Sequence, residues 1–173
     1  GSFARQSAQE NVSSINITFW GGIVDFDSIP LTRAVQKGWL AGIAGDGGIN
    51  DVNAPHKIKS LGIQVEVTKS SSVVDYNELI EVKTLSSDGL SRSVKGTLLG
   101  KANDPRIVEV DSQAIEVRPV DLLLVVRNVD KPGIVGKLGT ILGDHGVNIA
   151  NMSLSRADCG DLALTICELD EEP

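Results

Sequence analysis

Residues 121–169, DLLLVVRNVDKPGIVGKLGTILGDHGVNIANMSLSRADCGDLALTICEL, decide the fold. Leu122 to Val126 is an unbroken apolar run, the pattern of a central strand covered on both faces. The period then changes. Ile134, Val135, Leu138, Ile141 and Leu142 recur at helical spacing and form one stripe that can bury a face on a sheet. Asp130 and Pro132 read as the N-cap and a first-turn residue of that helix, and Gly146 suits the left-handed position just past its end. Ala150, Met152 and Leu154 alternate, residues 158–161 turn the chain, and Leu162, Leu164 and Ile166 alternate again. The order is β-α-β-β.

This stretch carries the chemistry of a small-molecule site. The loop from Arg127 to Gly133 delivers backbone N–H groups at a helix N-terminus, which favours a carboxylate by roughly 0.3–1 kcal/mol at an exposed position. Asp130 offers an ammonium its partner, and Asn148, at the start of the next strand, adds an amide that both donates and accepts. A zwitterionic amino acid needs partners of both signs, and the loop supplies both. Taken singly, Asp130 is an ordinary N-cap and Asn148 a turn residue.

NVDKPGIVGKLGTIL (128–142) followed by HGVNIANMSLSR (145–156) resembles the front part of an ACT domain, the small βαββαβ module that binds amino acids. It closely resembles the one that ends type I D-3-phosphoglycerate dehydrogenase. The resemblance implies a ferredoxin-like module whose effector, L-serine, sits between this loop of one subunit and the start of the second strand of its neighbour. That implicates Asn128, Asp130, Pro132, Gly133, Ile134 and Asn148. It also implies a further helix and fourth strand, whereas the sequence closes at Asp170-Glu-Glu-Pro173. The expected second domain, 119–173, is therefore a truncated βαββ(αβ) unit with part of its core uncovered.

Upstream, Ser2 to Gln9 reads as a helix tail and Ile15 to Trp20 as a strand broken by Gly21-Gly22. Ser28 caps a helix from Ile29 to Ala41 that buries Leu31, Ala34, Val35, Trp39 and Leu40. The Gly-rich stretch Gly42 to Gly48 departs from phosphate-loop spacing and follows a helix, so it reads as a connection. Asn53 and Pro55 open a second helix that Leu61-Gly62 stops. Ile63, Val65 and Val67 alternate as a strand, and Lys69 to Ser72 reads as a solvated loop. Leu79–Leu85 and Arg92–Leu99 form a hairpin across Ser87-Asp88-Gly89. Ile107–Val110 and Ile115–Val117 form another around Asp111 to Ala114, and Arg118-Pro119 marks the domain boundary. The fold class expected is α+β: a domain over 1–118 of antiparallel strands with two or three helices, followed by the ACT-like unit.

PLTRAVQKGWL, DVNAPHKIKSLGI, NELIEVKT, SVKGTLLG and PRIVEVD in this first part resemble the intervening, allosteric substrate-binding domain of the same dehydrogenases. The resemblance implies an anion site of basic residues. Arg33, Lys37, Lys57, Lys59, Arg92, Lys95 and Arg106 are the cations available; any one of them is ordinarily a solvated surface charge. Lys95 and Arg106, near Gly96 and Gly100 where a ligand can approach the backbone, are the favoured pair, with Arg33 next.

Composition excludes several functions. With 173 residues, a formal charge of -7 and no basic stripe, the chain is not built for nucleic acid. No run of 18 apolar residues exists to span a membrane. Cys159 and Cys167 lie across a predicted hairpin and read as reduced, cytoplasmic thiols, or plastid ones if a transit peptide lies upstream. His56 and His145 have no metal-ligand spacing. The chain has no Gly fingerprint for NAD and no nucleophile with a base, so the cofactor belongs to a catalytic domain not in this chain. The function expected is regulatory: binding L-serine and self-association, as part of an NAD-dependent oxidoreductase of L-serine biosynthesis. The pair of domain types also resembles the beta part of an iron–sulphur L-serine dehydratase, and a ligand-free assembly module is the third reading.

Overall fold

The computed structural model describes residues 12–44, 48–156 and 162–171; the expected helix tail over residues 2–9, the turn at 158–161 and Cys159 lie outside them. Two sheets make the molecule. The first has six strands: β1 (Val12–Gly21), β2 (Gln64–Ser70), β3 (Glu78–Ser86), β4 (Ser91–Leu99), β5 (Asp104–Val110) and β6 (Gln113–Val117), in the order β2-β1-β3-β4-β5-β6. The second has three: β7 (Leu123–Val129), β8 (Ile149–Arg156) and β9 (Leu162–Leu169), in the order β7-β9-β8. Helices α1 (Ile29–Ala44) and α2 (Ala54–Ser60) belong to the first sheet, and α3 (Ile134–Asp144) to the second. The α+β class is as expected. One pair departs from the antiparallel expectation: β1 and β2 run parallel, and the helices between them supply the long crossover that parallel neighbours need.

Strand β1 alternates as a half-covered strand should, with Ile15, Ile17 and Phe19 at 0% exposure. Above them lie Trp39 and Leu40 of α1 and Ala54 and Ile58 of α2. α1 starts where Ser28 was expected to cap it: the Ser28 carbonyl accepts Thr32 N–H at 2.9 Å, while the Asp27 carboxylate accepts Ile29 N–H at 3.0 Å. Asn53 is the N-cap of α2, but its side chain faces backward, accepting Asn50 N–H and donating to the Gly48 carbonyl. The Ser87–Gly89 turn closes β3 onto β4 as read, with Gly89 at φ 86. Lys69 is a correction. β2 runs through Ser70, and the Lys69 ammonium donates to the carbonyls of Val24 and Phe26 at 2.9 and 2.7 Å. A cation at the end of the short 3-10 helix Gly22–Asp25 satisfies its last carbonyls.

The second sheet is covered on both sides. On one, Leu138 and Leu142 of α3 meet Leu122, Leu124, Val147, Cys167 and Leu169. On the other, Leu123, Val125, Leu164 and Ile166 pack on Ile107, Val110, Ile115 and Val117 of β5 and β6. This is why β9, between its two neighbours, is buried at seven of its eight positions. The hairpin β5–β6 thus builds the core between the two sheets, and Val94 of β4 touches both that core and the one beneath α1 and α2.

Candidate functional site

α3 begins with Gly133, at φ 90, as its N-cap. Asp130 is not the cap; that expectation is corrected by the backbone. Three residues upstream, beyond Lys131 and Pro132, its carboxylate does not reach the first-turn amides. Gly133 takes the position because the left-handed turn into the helix costs a residue without Cβ little. The Gly133 carbonyl accepts Lys137 N–H at 3.0 Å. Ile134 N–H turns back to the Lys131 carbonyl at 3.5 Å; the other first-turn N–H groups have no intrahelical acceptor, so the helix still presents an anion-favouring end.

Asp130 is engaged elsewhere. Its Oδ2 lies 3.0 Å from Nε of Arg156, the last residue of β8; the Arg156 side chain is 68% exposed and the Asp130 side chain 26%. Asn128, two residues before it, donates through Nδ2 to the Val129 carbonyl at 2.8 Å. The Asn128 Oδ1 is buried and receives no hydrogen bond among the described residues. Asn128, Asp130, Pro132, Gly133 and Ile134 therefore cluster at one end of the second sheet, from the end of β7 through the loop to the first residue of α3.

Asn148 lies at the other end of the sheet. β7 and β8 both pair antiparallel with β9, so they run parallel to each other. Val129 faces Leu162 and Arg156 faces Ala163 at one end, while Leu123 pairs Glu168 and Ile149 pairs Leu169 at the other. A strand's length, about 20 Å at about 3.3 Å per residue, separates the loop from Asn148. Its Nδ2 donates to Asp170 Oδ2 at 2.6 Å, and Asp170 N–H returns a bond to the Asn148 carbonyl at 3.3 Å. Within one chain, the six residues expected to hold an effector fall into two groups at opposite ends of the second sheet.

The expected anion residues are all on the first domain, and the best two are already paired. Lys95 Nζ meets Glu109 Oε1 at 2.7 Å across β4 and β5. Arg106 donates to Asp104 Oδ2 at 2.7 Å and to the Pro105 carbonyl at 2.8 Å, with Glu116 at 3.5 Å. The guanidinium hydrogen-bonded to Asp104 holds that carboxyl below its usual range, and the carboxylate in turn raises Arg106. Arg33 is exposed on α1 and forms no ion pair among the described residues.

Three residues escaped the sequence reading. Arg156 ends a quoted motif, yet only the β7-β9-β8 order sets it beside Asp130. Arg118 joins Arg106 at Asp104, 3.7 Å away. Asp111, in the β5–β6 turn, accepts Ser93 N–H at 2.9 Å, Arg92 at 3.2 Å and Arg127 of β7 at 2.6 Å. Its signal was faint: one acidic residue in a turn. No group of three potential metal ligands occurs among the described residues.

The fold defines a class: a mixed domain of six strands and two helices carrying an ACT-like sheet. Family comparisons agree, matching the D-3-phosphoglycerate dehydrogenase intervening domain over residues 1–111 and the ACT domain over 122–173. The chain belongs to the family of D-3-phosphoglycerate dehydrogenase regulatory domains, intervening and ACT. It is 33% identical over 99% of its length to a D-3-phosphoglycerate dehydrogenase of Synechocystis, where the match covers 30% of the relative. It is 32% identical over 98% to the one of Methanocaldococcus jannaschii, and 31% over 98% to the one of Bacillus subtilis, each match covering 32% of the relative. The chain thus spans about a third of the length of these relatives.

Proposed function

We propose that this chain is the effector-binding part of a D-3-phosphoglycerate dehydrogenase, an NAD-dependent oxidoreductase of L-serine biosynthesis. It binds L-serine between the ACT domains of two copies. The catalytic residues and NAD belong to the remaining two-thirds of such an enzyme, and the setting is the cytoplasm, where the buried free thiol of Cys167 stays reduced.

One observation carries the reading: the two half-sites lie at opposite ends of strands that run parallel, and β8 is an edge strand. If two copies pair β8 with β8 antiparallel about a twofold axis, the Asn148 end of one meets the Arg156 end of the other. That contact assembles a complete site from two incomplete ones, twice per dimer. Bound serine then favours the arrangement in which both half-sites meet, and can shift it only by its differential affinity for that state.

The first domain adds an anion site in this reading, with Arg106 and Arg118 meeting at Asp104. A phosphorylated ligand there has to displace the carboxylates already bonded to Arg106. An assembly module without ligand is the second reading. It is favoured by Arg156 and Asp170, which occupy the Asp130 and Asn148 side chains in the single chain.

Calorimetric titration of L-serine into the chain, Asp130→Ala, Asn148→Ala and an equal mixture of the two variants separates them. Each variant alone is expected to give no binding heat, while the mixture recovers about a quarter of the sites through reassorted dimers. A mixture as silent as its parts removes the shared site. Light scattering that shows association regardless of serine, with no heat in the unmodified chain, establishes the assembly module.

A further inference from the structure

Resting on the serine reading above, we propose that Arg156 is the carboxylate partner of the amino-acid effector. The bound zwitterion inserts between Asp130 and Arg156, with its ammonium on the first and its carboxylate on the second. This moves the carboxylate seat from the amides of α3 to a side chain on the next strand.

The geometry supplies both seats at once. The pair is joined through Nε of Arg156 and one oxygen of Asp130, and the guanidinium carries further donors in a planar fork suited to a carboxylate. Arg156 is 68% exposed, so its long side chain can swing without disturbing the sheet, while Asp130, at 26%, is the fixed member. Charge also balances. The empty pair is neutral, and a zwitterion opens one ion pair and forms two, leaving no charge unmatched. An amine without a carboxylate strands the arginine, and an acid without an ammonium strands the aspartate; a surplus charge near a half-buried carboxylate is costly. The site therefore selects α-amino acids with both ends free. Arg156 also closes the C-terminal end of edge strand β8, which is where the partner's Asn148 arrives in the antiparallel pairing.

The test is calorimetry on the whole chain with two probes, L-serine and ethanolamine, which is serine without its carboxylate. Arg156→Gln keeps the length and removes the charge; Arg156→Lys keeps the charge and loses the fork. The unmodified chain is expected to prefer serine over ethanolamine by about tenfold or more, a preference that Arg156→Gln abolishes by weakening serine alone, with Arg156→Lys in between. The proposal is overturned if Arg156→Gln binds serine as tightly as before or tighter, since arginine would then only compete for Asp130. It is equally overturned if both probes weaken together, which marks a merely structural role. Absence of serine binding in the unmodified chain sinks the functional reading itself, and is read before any variant.

Discussion

At Gly21 a single hydrogen atom decides whether β1 can turn into the 3-10 helix that follows. The residue sits at φ 76, and a Cβ built there would stand 1.9 Å from the Asn77 carbonyl oxygen. That same carbonyl accepts Gly22 N–H at 3.1 Å, so it cannot retreat without giving up a bond. Gly21→Ala is expected to destabilise the protein by about 3 kcal/mol or more, combining left-handed strain with a backbone clash. Urea denaturation followed by the fluorescence of Trp20 and Trp39, both in the first domain, reads the loss; a midpoint unchanged from the parent contradicts it. The Gly21-Gly22 break was legible because glycine pairs punctuate strands. That the first of the two admits nothing larger was not, since the obstructing carbonyl is far along the chain.

Helices α2 and α3 end by one repeated device. After α3, Gly146 at φ 74 donates its N–H to the Gly143 carbonyl at 3.0 Å, and Val147 N–H reaches Leu142 at 2.9 Å. After α2, Gly62 at φ 73 bonds Lys59, and Ile63 bonds Ile58. Each is a Schellman ending, and in each the residue past the glycine is buried beside the helix's last buried apolar side chain: Val147 with Leu142, Ile63 with Ile58. Space around Gly146 is open, so Gly146→Ala meets only the conformational cost, about 1–2 kcal/mol. A thermal melt shows it, and amide exchange should quicken at Gly146 and Val147 before the rest of α3; uniform exchange would contradict a local cap. Both endings were legible as glycine after a periodic apolar stripe. The start of α3 was misread because Asp and Pro are good first-turn residues, and nothing local says that Gly133 turns left-handed and leaves Asp130 to a distant arginine.

Across the whole molecule, the β5–β6 hairpin of the first sheet packs on the second, and Asp111 fastens the two at its tip. The residue adopts φ 50 and its neighbour Ser112 φ 66, a tight turn that aspartate tolerates. Its carboxylate binds Arg92 of the first sheet and Arg127 of the second, and Arg127 directly precedes Asn128. Asp111→Asn preserves the turn but removes the charge, and is expected to cost about 1–2 kcal/mol. A double-mutant cycle with Arg127→Gln is expected to show a coupling of about 1 kcal/mol or more between the sheets; additive losses would mean that the Asp111–Arg127 pair does not help to hold them together.

What the sequence by itself determined was local and periodic: the strands and helices, the Asp-Gly turn, the helix-ending glycines, the two domain types and the loop that offers an acidic group beside a helix end. These follow from backbone preferences and from the spacing of apolar residues, which act over a few positions. Tertiary structure alone decided which charges meet. The antiparallel pairing of β9 with both its neighbours brought Arg156 to Asp130 and carried Asn148 a strand's length away. Packing of β5 and β6 against the second sheet brought Asp111 to Arg127, and ion pairing within the first domain occupied Lys95 and Arg106. Side chains distant in sequence become neighbours only through strand order and register, and no short stretch of residues records either.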